Sequence, residues 1–382
     1  MIWNKDITVK KLLFITGTRA DFGKLEPLAS SARLAGFKIY FFVTGMHLLE
    51  KYGLTSIEVS RMKKIKRFEF INQMEGDPQD KILSRTITGI SEYVSRLKPD
   101  LVLIHGDRIE AVAASLVCAT NNIRSAHIEG GEVSGTIDEV YRHCNTKLCT
   151  VHFVSSKSAK NRVTKLGEHP DRVFVLGSPE LDAHKKKNTI PLHEVLSYYD
   201  ILWDKYGIFI FHSVTSELES LKKEIQICCD SLKKLKKNFV VISPNNDPGC
   251  EIIFKAIGKL PSSHFKQIPS MRFSYFSTLL KNSQIIIGNS SVGVREAPFL
   301  GVPSINIGSR QFRRAEAKSI KNVDVFKNKN LDKLVESLWG KRFPTDNSFG
   351  TGQSAKKFTK ILKDKKIWKL NLQKAFFETS TK

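Results

Sequence analysis

Leu101-Val102-Leu103-Ile104-His105-Gly106-Asp107-Arg108 runs from four apolar residues straight into a charged loop with a glycine, and Ser125-Ala126-His127-Ile128-Glu129-Gly130-Gly131-Glu132 repeats that step. The short runs have strand length, and the segment between them, from Ile109 onward, has helical length. Two strands joined through a helix make a βαβ unit, whose strands lie parallel. The alternation recurs along the chain. Strands are predicted at Lys11–Thr16, Ile39–Val43, Val151–Val154 and Val173–Leu176, and a second set at Gly207–Phe211, Phe239–Ile242, Ile285–Ile287 and Ser304–Ile307. A polar, lysine-rich stretch after Asp182, up to about Ile190, reads as the linker. The fold class is α/β, with a first domain over 1–184 and a second over 185–382.

A chain of 382 residues that is 41% hydrophobic suits two domains with a core each. No apolar run reaches the roughly 18 residues of a membrane span, and Met1 to Lys11 lacks the apolar stretch of a secretory signal, so a cytoplasmic address is expected. The six cysteines form no Cys-x-x-Cys pairs; Cys144 and Cys149 read as mid-helix, and free thiols in a reducing compartment follow. The net charge of +23 invites a nucleic-acid reading, but the lysines fall in short runs on helix faces and loops, without interleaved aromatics. Solvated faces explain them better, and no nucleic-acid partner is expected. The sequence holds no Gly-x-Gly-x-x-Gly with a downstream ribose acid, no Gly-Lys-Ser/Thr phosphate loop and no His-Glu-x-x-His helix. Ser155, Ser156 and Ser178 lack a nucleophile-elbow context.

Ligands of open parallel sheets bind beyond the carboxyl ends of the strands, and the unusual residues fall there. Asp107, Glu129, Glu132, Asp138 and Glu139 lie near Arg108, His127, Arg142 and His143. Carboxylates crowded into a partly dry cleft cannot all ionise at their free-solution pKa, which makes this acid/base chemistry. Gly288-Asn289-Ser290-Ser291-Val292-Gly293 leads from a strand into a helix whose free N–H groups suit a phosphate. Glu296 in that helix has the position to accept from a vicinal diol such as a ribose. Arg310, Arg313 and Arg314 follow the next strand and match diphosphate oxygens, with Arg19 closing the clamp from the other domain.

The chain resembles the bacterial hydrolysing UDP-N-acetylglucosamine 2-epimerases of sialic acid and related nonulosonate pathways. The resemblance runs nearly end to end, through Thr16-Gly17-Thr18-Arg19-Ala20-Asp21-Phe22-Gly23-Lys24, Val43-Thr44-Gly45-Met46-His47, His105-Gly106-Asp107-Arg108, His127-Ile128-Glu129-Gly130-Gly131-Glu132, Gly177-Ser178-Pro179, Gly288-Asn289-Ser290-Ser291 and Gly308-Ser309-Arg310-Gln311. It implies the GT-B arrangement of two Rossmann-like doubly wound domains facing across a cleft, a homodimer, and a last helix near 358–377 crossing back onto the first domain. It also implies elimination of UDP to a 2-acetamidoglucal, then addition of water from the other face to give N-acetylmannosamine, with no metal or redox cofactor required. Carried over, Asp107, Glu129 and Asp138 are the catalytic carboxylates, which of them removes the proton being open, and His212 stands near the diphosphate. Ser290, Ser291 and Glu296 hold phosphate and ribose, Arg272, Phe273 and Phe276 border uracil, and Arg19, His47, Arg310 and Arg314 complete the substrate contacts. The family usually reads His-Pro where this chain has His212-Ser213, which puts the stiffness of that loop in question. A diacetamido-trideoxy or GDP-linked sugar, a non-hydrolysing epimerase and a GT-B glycosyltransferase stand as alternatives.

Overall fold

The computed structural model describes residues 9–185, 190–311, 313–328 and 330–378. The linker expected after Asp182 falls partly on 186–189, outside the described residues. The first sheet is built from β1 (Lys11–Thr16), β2 (Lys38–Val43), β3 (Lys66–Glu69), β4 (Leu101–His105), β5 (Ser125–Ile128), β6 (Val151–Val154) and β7 (Val173–Val175). The second holds β8 (Gly207–Ile210), β9 (Phe239–Ile242), β10 (Phe265–Ile268), β11 (Ile286–Gly288), β12 (Ser304–Ile307) and β13 (Ile320–Val323). The strands lie in the orders β3-β2-β1-β4-β5-β6-β7 and β10-β9-β8-β11-β12-β13, and adjacent strands pair in parallel. Two doubly wound sheets in series are the α/β architecture anticipated from the sequence.

The central strands are apolar because helices cover both their faces: Leu12, Leu13, Phe14, Leu101, Val102 and Leu103 are fully buried. β3, β10 and β13 have no such signature and were not expected. Each closes an edge of its sheet, where one face or one end meets water, and their sequences Lys-Arg-Phe-Glu, Phe-Lys-Gln-Ile and Ile-Lys-Asn-Val carry the charges typical of edges.

In both sheets the winding reverses next to the first strand, between β1 and β4 and between β8 and β11. Loops leaving two such strands diverge and open a crevice at the carboxyl end. The first crevice is set by a capping box: Thr18 Oγ1 accepts from Asp21 N at 3.2 Å, while Asp21 Oδ1 accepts from Thr18 N at 3.1 Å. This starts the helix Arg19–Leu34 just past β1. In the second, Gly288 has φ +133°, and a Cβ there would stand 1.8 Å from the Ile210 carbonyl oxygen. Only glycine lets β11 leave its sheet at that angle.

After the second sheet the chain returns to the first. The helix Ser354–Lys363 lies against Arg19–Leu34, with Ser31 Oγ 2.6 Å from Thr359 Oγ1 and the Phe358 ring 5.2 Å from that of Phe153. Beyond it, Lys374 Nζ donates to the carbonyls of Thr146 (3.1 Å) and Cys149 (2.7 Å) and to Glu168 Oε2 (2.8 Å). A cation thus seals the carboxyl end of the helix Asp138–Leu148. That helix ends before Cys149, so Cys149 is not mid-helix as the sequence suggested; its last backbone turn is closed by the Cys149 N–H on Asn145. The six cysteines are unpaired thiols. No helix among the described residues is long and apolar enough to cross a membrane.

Candidate active site

The carboxyl ends of the two sheets face each other, and two connected cavities lie between them. One, of about 130 Å³, is bordered by Asp107, Glu129 and Asp138 from the first lobe and by Arg310 and Arg314 from the second. The other, of about 240 Å³, is less polar, bordered by His212, Phe276, Ser290 and Glu296. Thr18, Lys24, Ser291 and Arg310 border both and mark the passage between them.

Each acid of the first cavity has a different environment. Asp107 leaves β4 two residues past its end and takes a hydrogen bond from Arg142 Nη2. Burial works against its charge, but Arg142 and Arg314 outweigh burial and hold the carboxyl well below the usual range. The helix Ile109–Thr120 that follows has Arg108 as its N-cap, without a side-chain capping hydrogen bond. Arg142 is itself held by the Glu132 carbonyl (3.1 Å) and by Ser134 Oγ (3.3 Å). Asp138 opens the helix that carries Arg142, and burial followed by the Asp107 charge raises its pKa, against Arg310, whose Nη2 is 4.0 Å away. Two neighbouring carboxyls pushed in opposite directions are the arrangement that keeps one ionised and one protonated at the same pH.

Glu129 has φ +68°, an uncommon backbone for a non-glycine residue, which turns its side chain from the end of β5 toward the second lobe. There it meets Arg295, whose Nη1 donates to Oε2 at 2.8 Å and whose Nη2 donates to Oε1. Lys24 Nζ adds a bond to Oε2 at 3.0 Å, and His105 Nε2 lies 3.2 Å from the same oxygen. His105 is pushed down to about 3 by burial and by Lys24, so it is a neutral ring. Arg295 and Lys24 had no role in the sequence reading. Their signal was a single basic residue inside an otherwise apolar helix segment, Val292-Gly293-Val294-Arg295 and Phe22-Gly23-Lys24-Leu25, which is rarely left buried without a partner.

His127, in β5, is structural: Nε2 sits 2.7 Å from the Gly106 carbonyl, Nδ1 3.2 Å from Thr146 Oγ1, pinning the loop that presents Asp107. Glu132 is paired with Ser155 Oγ and, at 3.3 Å, with Arg314 Nε; Glu139 accepts from Ser134 N at 2.7 Å.

On the opposite rim, Asn245 N donates to His212 Nδ1 at 3.2 Å, which leaves the ring proton on Nε2, toward the less polar cavity. Burial and then Arg310 push His212 down to about 3; it is a neutral donor rather than an acid. Its loop lacks proline and is held by Asn289, whose Oδ1 accepts from His212 N and whose Nδ2 donates to His212 O, both at 2.7 Å. The stiffness in question at His212-Ser213 comes from this amide. Replacing it leaves two buried backbone groups unpaired, so Asn289→Ala should destabilise the protein by about 2–4 kcal/mol in urea unfolding. Arg310 Nη1 donates to the Asn289 carbonyl at 3.3 Å, which holds that arginine over the Ser290-Ser291 loop.

Arg19 reaches across the cleft to Ser270 Oγ at 2.5 Å and borders the less polar cavity. Glu296 borders it as well, with His184 Nε2 2.9 Å from Oε1. Two expected contacts, His47 and Arg272, lie elsewhere, and Arg314 lines the other of the two cavities. His47 is fully enclosed: Thr16 Oγ1 is 2.9 Å from Nε2 and Thr55 Oγ1 2.8 Å from Nδ1, so both nitrogens are spent behind the β1 loop. Arg272 faces away, its Nε 3.2 Å from Glu58 Oε1 and its guanidinium stacked 5.0 Å from the Tyr198 ring. Arg314 borders the acid cavity rather than the one with Ser290 and Phe276, because it is drawn to Glu132. Arg313 is exposed.

Residues 30–363 match the family model described as UDP-N-acetylglucosamine 2-epimerase. The chain is 39% identical over 375 residues to a UDP-N-acetylglucosamine 2-epimerase of Neisseria meningitidis serogroup B, covering 97% of this chain and 99% of that protein. It is 30% identical to the UDP-N,N'-diacetylbacillosamine 2-epimerase (hydrolyzing) of Legionella pneumophila, covering 93% and 96%. Among solved structures, UDP-GlcNAc 2-epimerase from Neisseria meningitidis bound to UDP-GlcNAc superposes with a TM-score of 0.75 at 21% identity, covering 92% of this chain and 99% of that one. At that identity the superposition establishes the two-lobed fold and no more.

Proposed function

Because the chain belongs to the UDP-N-acetylglucosamine 2-epimerase family, we propose that it is a hydrolysing 2-epimerase, converting UDP-N-acetylglucosamine to N-acetylmannosamine and UDP for a sialic acid or related surface sugar. The observation that carries this reading is the pair Asp107 and Asp138 in one cavity, one carboxyl held ionised and the other inclined to keep its proton.

In this reading the nucleotide lies in the less polar cavity, its base against Phe276 and its ribose diol on Glu296, with the diphosphate between Ser290, Ser291, Arg310 and Arg19. His212 Nε2–H donates to the diphosphate and offsets charge as the C1–O bond breaks. Asp107 takes the C2 hydrogen as a proton, the C2–H electrons become the C1=C2 double bond, and the C1–O electrons leave with UDP. A carboxylate held ionised this firmly is a weak base. It suffices when C1–O cleavage runs ahead and the developing cation acidifies the C2 hydrogen. Water then adds to the glucal: Asp138 gives its proton to C2 from the opposite face, the water oxygen bonds to C1, and the proton that this water releases goes to the Asp138 carboxylate, while Asp107 passes the proton taken from C2 to solvent. Glu129, saturated by Arg295 and Lys24, orients the sugar rather than exchanging protons.

Hydrolysis is favoured over nucleotide-retaining epimerisation because the Legionella relative is named as hydrolyzing. The same relative supports a second substrate, a diacetamido-trideoxy sugar. Incubation in deuterated water with UDP-N-acetylglucosamine or the diacetamido sugar nucleotide, followed by NMR, separates the readings. Free N-acetylmannosamine with one deuterium at C2, formed with one UDP, is the expected product. UDP-N-acetylmannosamine, or no reaction without a sugar acceptor, would overturn it.

A further inference from the structure

At the inner wall of the cleft, where the helices Arg19–Leu34, Glu180–His184 and Val292–Phe299 meet the β5 loop, five charged side chains come together. Lys24 and Arg295 supply two cations; Glu129, Glu180 and Glu296 supply three carboxylates, each at most 4% exposed. Full ionisation would leave this dry junction one negative charge in excess, an arrangement proteins avoid by retaining a proton.

The hydrogen bonds indicate which carboxyl retains it. Glu129 is satisfied on both oxygens, by Arg295 and Lys24. Glu296 has His184 Nε2 at 2.9 Å, with Ser277 Oγ 2.6 Å from the other ring nitrogen. Glu180 is 1% exposed and has only one oxygen engaged: Oε1 is 3.1 Å from Arg295 Nη2 and 3.9 Å from Lys24 Nζ, while Oε2 is buried with no hydrogen-bond partner.

We infer that Glu180 is a positioning residue that holds or releases a proton at the lobe junction and thereby sets how firmly Lys24, 3.9 Å away at the cleft, keeps its own. This deepens the proposed epimerase reaction and rests on that reading for its kinetic consequence. Burial pushes Glu180 up to about 7, with Lys24 opposing and Glu296 adding to the rise. Lys24 is pushed down to about 8 by burial and by Arg295, with Glu180 opposing. Below neutrality Glu180 is neutral and Lys24 lacks that counter-charge; above it the carboxylate supports the ammonium. Lys24 borders both cavities, so its charge is felt where the sugar meets the diphosphate. Arg314 from the second lobe acts on both Lys24 and Glu180 at longer range, and the His105 ring from β4, kept neutral by burial and by Lys24, faces the same cluster.

The test has two arms. In the full-length protein labelled with ¹³C at glutamate carboxyls, the resonance missing from Glu180→Gln should titrate near pH 7 in the wild type. Titration at an ordinary glutamate pH of about 4 overturns the inference. In the kinetic arm, Glu180→Gln should move the limb of the kcat–pH profile that belongs to Lys24 about one unit toward acid, whichever limb that is, with KM nearly unchanged. Glu180→Asp, which keeps a carboxyl, should restore part of that displacement; a limb that stays in place sinks the idea. If the wild type turns over no UDP-linked amino sugar, the epimerase reading fails by itself, and the NMR arm, with ¹⁵N detection of Lys24 in both proteins, still decides the role of Glu180.

Discussion

Asp107→Asn is expected to slow UDP release from UDP-N-acetylglucosamine by about 10³-fold while leaving UDP affinity within about twofold of the wild type. The amide has the shape of the carboxyl but cannot take the C2 proton. Arg142 loses its ion pair and keeps two other acceptors, the Glu132 carbonyl and Ser134 Oγ, so the guanidinium is not stranded. The nucleotide is expected to bind in the neighbouring cavity, which Asp107 does not border. Stopped-time chromatography of UDP and calorimetric titration with UDP measure the two quantities separately. Turnover within tenfold of the wild type would remove Asp107 from the chemistry; lost UDP affinity would show that it holds the lobes instead.

Arg295→Met is the substitution expected to damage the protein most. The guanidinium is nearly inaccessible, bonded to both oxygens of Glu129, to Ser178 Oγ at 2.6 Å and to Glu180 Oε1 at 3.1 Å, and it stacks 5.4 Å from the Phe349 ring. Methionine fills much of the volume and supplies no charge, which leaves Lys24 as the remaining ion-pair partner of the buried Glu129 and Glu180. Removing one partner of a buried ion pair typically costs about 3–5 kcal/mol, because the other is left uncompensated. Urea unfolding should show a loss of that size. Adding Glu129→Gln and Glu180→Gln should recover more than half of it, since the penalty lies in the orphaned charges rather than in the missing contact. A loss under about 1 kcal/mol, or no recovery in the triple variant, would mean that the junction is wet and its charges screened.

The sequence expectations and the structure part at identifiable places. β1, β5, β6, β9 and β12 were legible to the residue, because strands buried on both faces read as short, uncharged or nearly uncharged runs rich in apolar residues that end in glycine, serine or charged loops. The edge strands β3, β10 and β13 were not, because solvent along one side lets lysine, asparagine and glutamine alternate with apolar residues. The family resemblance placed His47 among the substrate contacts. Only the tertiary structure shows Thr16 and Thr55 occupying both its nitrogens.

The amino-acid sequence by itself determined the α/β class, the two sheets and the positions of Asp107, Glu129 and Asp138 at strand and helix ends, since each follows from local periodicity and chain order. The tertiary structure alone decided which charged partners those acids have. Asp107 is held ionised by an arginine 35 residues away and Glu129 is neutralised by one 166 residues away. A side chain's charge state depends on which partners share its dry surroundings, and no periodicity along the chain records a partner brought in from the other lobe.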